Sequence, residues 1–162
     1  MENNYSNLLI DIRKIIRSIN LESKRIEKEY GVSIPQLLTL NYLKSKPEYK
    51  ATPTEIKNFL NLNASTVTGI VQRLEKKGFL ARLPKMQGDK RVSHIVITSN
   101  GASLLDKIPP LMQEKLMKKL AKLPPDKINQ LNEAIHMLVE IMDIDKIDAA
   151  PMLTINDPIV KQ

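Results

Sequence analysis

Ser65, Thr66, Thr68 and Gln72 fall where a helix would turn them outward, and Arg73 and Lys76 follow toward its end. Short hydroxyls near a helix start can hydrogen-bond base edges or phosphates, and a Gln amide can pair with adenine through two bonds. Arg73 and Lys76 suit phosphate, and Lys76 and Lys77 fit the negative end of a helix dipole. Between these residues Val67, Ile70, Val71 and Leu74 repeat at i, i+3, i+4 and i+7. That stripe predicts a helix over 64–77, closed by Gly78. Gly69 lies on the polar side, where a missing side chain permits close backbone approach. A solvated amphipathic helix would show the same stripe, so the segment beyond Gly78 has to discriminate.

Two β-type runs come next, 79–83 and 92–98, joined by the polar tip Pro84-Lys85-Met86-Gln87-Gly88-Asp89-Lys90. Alternation and β-branched residues in the second run predict a hairpin ribbon. Arg91 beside the tip could enter a narrow minor groove, where the negative potential is deepest. Lys90 suits a phosphate. Asp89 would repel one, and as a bare residue it reads equally as an ordinary turn aspartate. Arg82 closes the first run and has two uses open to it: a phosphate, or an acid of its own domain.

The surrounding elements must hold this helix and ribbon. Thr52, Pro53 and Glu55 spell a capped helix start, with Ile56, Phe59 and Leu60 as its inner face. Asn61-Leu62-Asn63 makes a tight connection, and Asn63 can cap the helix after it. Upstream, Ser33 with Gln36 predicts another capping box, opening a helix apolar on more than one side. A first helix over 5–29 carries Leu8, Ile12, Ile15, Ile16 and Ile19 on one face and stops at Gly31. After the ribbon, Thr98 or Ser99 opens a fifth helix, in which Pro109-Pro110 predicts a kink or break. Pro124-Pro125-Asp126 opens a sixth, and the pattern fades after Ile144 into an irregular tail. The fold class expected is mainly α with a small β-hairpin wing.

Composition narrows the function. The 162 residues carry a net charge of +7, with a pI of about 9.5, and no Cys. Disulfides, thiolate metal sites and thiol redox chemistry are therefore excluded. The positive charge is local. From Lys57 to Arg91 eight basic residues meet only Glu75 and Asp89, whereas six acids between Asp126 and Asp148 meet Lys127 and Lys146. A basic stretch of this kind suggests a polyanion partner. His94 and His136 stand alone, with no ligand-like spacing, so no metal and no cofactor is expected. No nucleophile triad or glycine-rich phosphate loop is present, and no enzyme activity is expected. No apolar run is long enough to span a bilayer, and the first residues do not resemble a signal peptide. A cytoplasmic location without membrane contact is the expectation.

The combination of Ser65-Thr66-Val67-Thr68, Leu74-Glu75-Lys76-Lys77-Gly78-Phe79-Leu80-Ala81-Arg82, Asp89-Lys90-Arg91, Ile97-Thr98 and Gly101 resembles the MarR family of winged helix-turn-helix transcription regulators. The likeness extends over roughly residues 5–144. It implies a homodimer, with 1–32 and 98–144 as a helical dimerisation region, 33–97 as the DNA-binding lobe and 145–162 as a tail. Double-stranded DNA would be the partner, bound as a pseudo-palindromic operator, and many members are repressors released by a small, often aromatic effector. By resemblance Asp89 orients a wing arginine through an ion pair. Lys90 departs from the arginine common at its position, keeping charge but losing the planar fork. An effector pocket between the dimerisation helices and the lobe would draw on Ile12, Ile16, Leu40, Tyr42 and Leu43, each of which reads first as plain core packing. Two other functions stay open at this point: a protein-interaction module acting as antagonist or adaptor, and a non-specific architectural DNA binder.

Overall fold

Seven of the twelve residues of α2 (Ile34–Ser45) are buried, which makes it the central post of the molecule. Ser33 and Gln36 close the expected capping box at its start, and Pro35 sits in its first turn. The buried Thr39 satisfies its hydroxyl by donating to the Pro35 carbonyl at 2.8 Å, so no polar group is orphaned there. The computed structural model describes residues 2–84 and 93–147. Within them the order is α1 (Glu2–Tyr30), α2, a 3-10 turn (Pro47–Tyr49), β1 (Lys50–Ala51), α3 (Pro53–Leu60), α4 (Ala64–Lys76), β2 (Leu80–Arg82), β3 (Ile95–Ile97), α5 (Ser99–Lys107), α6 (Met112–Leu120) and α7 (Pro125–Ile141).

The core gathers Leu37, Leu40 and Leu43 of α2 with Ile56 and Leu60 of α3, the inner stripe of α4, and Leu80 and Ile95 of the sheet. Each such side chain contributes about 1.5–3 kcal/mol on burial. The sheet has three antiparallel strands in the order β1-β3-β2, with Ala51 opposite Ile95 and Leu80 opposite Ile97. The ribbon of two strands expected from the sequence therefore gains a third. The chain reaches that position through Glu48 and Tyr49, both left-handed at φ 55°. No Gly or Asn marks the spot, and the conformation is costly for ordinary residues.

The Pro109-Pro110 break occurs, with α5 ending at Lys107 and α6 starting at Met112. Leu111 at the α6 cap position offers no side-chain bond. Glu22 of α1 supplies one instead, accepting the Met112 N–H at 2.7 Å from 90 residues away. A carboxylate there also suits the positive end of the helix dipole. The stretches 85–92 and 148–162 lie outside the described residues, so Asp89, Lys90, Arg91 and all of the tail beyond residue 147 do as well.

Candidate nucleic-acid interface

The chain is locked at both ends of α4. At the start, Asn63 accepts the Thr66 backbone N–H at 2.8 Å as a side-chain cap. Asn61 takes the left-handed turn before it at φ 50°, which Asn tolerates better than most residues. At the end, Gly78 adopts φ 74°; its N–H bonds to the Glu75 carbonyl and the Phe79 N–H to that of Leu74. This Schellman closure needs a residue without Cβ strain. Val67, Ile70, Val71 and Leu74 are all buried, so the rotation of α4 about its axis is fixed.

That rotation decides what faces out. Ser65, Thr68, Gln72, Arg73 and Lys76 are exposed, while Thr66 and Gly69 are partly covered. The Ser65 hydroxyl donates to Asn63 Oδ1 at 2.7 Å, and that of Thr68 to the Ala64 carbonyl at 2.8 Å. Thr66 points aside instead. It lines a groove of about 360 Å³ with Arg73, Lys77, Ser33 and Glu27, between α4 and the α1–α2 junction. The Arg73 guanidinium lies back along the helix against Gly69, where a built Cβ would stand 3.4 Å from it. Gly69 thus seats a basic group midway along the polar face.

Arg82 meets an acid of its own domain: its Nε lies 3.2 Å from Glu75 Oε2, with both side chains about 40% exposed. This pair ties β2 to α4. Its partner is not evident from sequence, although an acid and a base seven residues apart across a helix–turn–strand is a usable signal. Lys77, expected at the negative end of the helix dipole, donates to the Gly31 carbonyl and pins the end of α4 to the end of α1. Thr98 makes the third anchor. Its hydroxyl donates to the Gly78 carbonyl at 2.6 Å and accepts the Gly101 N–H at 3.2 Å. A Cβ on Gly101 would stand 2.2 Å from the Phe79 carbonyl oxygen, so only glycine lets α5 start this close to the ribbon.

Ahead of α4, Thr52 and Glu55 form the expected capping box of α3. The Thr52 N–H and hydroxyl, at 2.7 and 2.9 Å, hold the Glu55 carboxyl below the usual carboxylate range. The five residues expected around an effector do not come together. Leu40 and Leu43 are fully enclosed in the core, and Tyr42 stacks on Phe59 at 4.3 Å beneath the Lys46 ammonium. Ile12 is partly covered on α1, and Ile16 lines a depression of about 380 Å³ there with Arg13, Arg17 and Lys24. His136 is an exposed partner of Glu140 at 3.4 Å, and His94 is half-buried beside β3. No described helix is long and apolar enough to cross a membrane.

The MarR family model matches residues 32–93, from the residue before the α2 cap to the residue before His94. An uncharacterized HTH-type transcriptional regulator of Bacillus subtilis, YkoM, is 30% identical over 125 residues, covering 77% of this chain and 79% of its own. The transcriptional repressor MprA of Escherichia coli is 24% identical over 131 residues, 77% of this chain and 74% of its own. In fold, the chain superimposes on Sco3205 of Streptomyces coelicolor, a MarR family transcriptional regulator solved in complex with DNA. The TM-score is 0.63 at 18% identity, covering 93% of this chain and 94% of that one. The motif, the helix-turn-helix with its wing and these likenesses agree, and the chain belongs to the MarR family of transcription regulators.

Proposed function

We propose that this protein is a homodimeric, sequence-specific DNA-binding repressor of the cytoplasm, and that it reads a pseudo-palindromic operator with α4 in the major groove. The observation that carries this is the fixed rotation of α4: its apolar stripe is buried and a polar, basic face is turned to solvent. Ser65, Thr68 and Gln72 are the base-facing residues, with Thr66 at the flank. Arg73, Lys76 and Lys90 serve phosphate, and Arg91, oriented by Asp89, serves the minor groove. Arg82, held by Glu75, positions the ribbon. Residues 1–32 and 98–144 form the dimerisation region around the lobe at 33–97. Two copies of α4 then sit about 34 Å apart, or a small multiple of that, to match the DNA repeat. The likeness to a repressor and to a regulator solved on DNA supports the reading. A small-molecule effector belongs to the same family expectation.

A gel shift on the DNA upstream of the protein's own gene, repeated across salt, tests this. Wild type is expected to shift that duplex at concentrations where random DNA stays free. Arg91→Ala should weaken binding about tenfold or more while dimerisation is unchanged. Equal binding of specific and random duplex at moderate salt would refute a sequence-specific regulator.

A further inference from the structure

Two hydroxyl protons at the start of α4 have a determined direction. Asn63 Oδ1 faces the Thr66 backbone N–H at 2.8 Å, which identifies that atom as the oxygen, because an amide nitrogen would set donor against donor. Ser65 Oγ lies 2.7 Å from the same oxygen, so Ser65 is the donor. Thr68 Oγ1 lies 2.8 Å from the Ala64 carbonyl oxygen, which can only accept, so Thr68 donates as well. Both side chains are exposed on the polar face. Their protons point into the helix, and what each offers outward is a lone pair.

A lone pair has few partners in a DNA groove. Phosphate oxygens, guanine O6 and N7, adenine N7 and thymine O4 are all acceptors; the major-groove donors are adenine N6–H₂ and cytosine N4–H₂. Turning either proton outward would give up a bond that the helix start already uses. The geometry points to Ser65 and Thr68 as acceptor-only specificity residues, which read the exocyclic amines of adenine or cytosine and make no phosphate contact. They stand three residues apart and so share one helix face, close enough to take amines from neighbouring base pairs. Thr66 lies at the flank of this face, on the groove that Arg73 and Lys77 also line. The assignment rests on the proposed placement of α4 in the major groove.

The full chain is first used to select its preferred duplex from a random library. Within that duplex each adenine is replaced by purine deoxyriboside, which lacks the N6 amine, and each cytosine by 2-pyrimidinone deoxyriboside, which lacks the N4 amine. Binding of wild type, Ser65→Ala and Thr68→Val is read by fluorescence anisotropy, with thermal unfolding as the check on fold. At one or two positions, loss of the amine should weaken wild type about three- to tenfold and cost the matching variant nothing further. Amine losses that weaken all three proteins equally overturn the assignment. So does coupling of either variant to 7-deazapurines or to methylphosphonate linkages. A preferred duplex with uncoupled amines removes this assignment alone, whereas a selection that returns no preferred duplex removes the regulator reading and the assignment with it.

Discussion

Gly69 carries two demands at one position. On the polar face of a helix it costs about 0.5–1 kcal/mol relative to Ala, and the structure shows no steric reason for that loss. An added Cβ would meet only the flexible end of Arg73, at 3.4 Å. Gly69→Ala is therefore expected to raise stability by about 0.5–1 kcal/mol, read as a higher unfolding midpoint. It should weaken operator binding, because with α4 in the major groove as proposed the methyl group would stand between the helix backbone and the DNA. A stabilised variant with unchanged affinity would remove that role and leave Gly69 only as the seat of Arg73. The Arg82–Glu75 pair is a different matter. Both partners are about 40% exposed, so the pair adds at most about 1 kcal/mol to stability, and its use is positional.

At the level of elements, the lobe is held by helix ends as much as by its core. The capping box of α3 is acid-sensitive. Its Glu55 carboxyl is held below the usual range first by the Thr52 N–H and then by the Thr52 hydroxyl. A carboxyl depressed in the folded state contributes stability above its unfolded pKa and loses it as pH falls through the folded value. Wild type should lose stability through the acid range more steeply than Glu55→Gln, which keeps an acceptor for Thr52 but cannot titrate. Parallel acid limbs in chemical denaturation would count against the linkage. The junction of α5 with the ribbon depends on close approach. Gly101→Ala sets a Cβ 2.2 Å from the Phe79 carbonyl oxygen and 2.8 Å from Ile97 Cγ1. The backbone must shift to relieve it, at about 1–3 kcal/mol, lowering the denaturant midpoint. An unchanged midpoint would mean that α5 can move away freely.

At the level of the whole molecule, the long helices outside the lobe leave their apolar faces open. On α1, Leu8, Ile15 and Ile16 are half exposed or more, and on α7 Leu131, Ile135, Met137 and Ile141 are exposed to the same order. A soluble chain rarely leaves so much apolar surface to water. Sedimentation equilibrium should give a dimer at micromolar concentration, and Ile135→Asp should shift it toward monomer while the lobe keeps its unfolding signature. A wild-type monomer at tens of micromolar would refute the dimerisation region. The depression on α1 lined by Arg13, Ile16, Arg17 and Lys24 lies on one of these helices.

Much of the lobe is determined locally, and that part is legible in the residues. The boxes Ser33/Gln36 and Thr52/Glu55, the stripe Val67-Ile70-Val71-Leu74, the stop at Gly78 and the break at Pro109-Pro110 each depend on neighbours within about one helical turn. Sequence spacing therefore states them directly, and the outward face of α4 follows by elimination. What the tertiary structure decided depends on partners far apart in the chain or on short elements without periodicity. β1 is two residues long and becomes a strand only by pairing with Ile95 and Val96. Glu22 reaches α6 across 90 residues, Arg82 of β2 finds Glu75 of α4, and Leu40 and Leu43 are drawn wholly into the core. The hydroxyls of Ser65 and Thr68 belong to both levels. Their place on α4 is set by spacing, and their acceptors are near in sequence, Asn63 and Ala64, but only the folded helix start brings those oxygens within 2.8 Å of them.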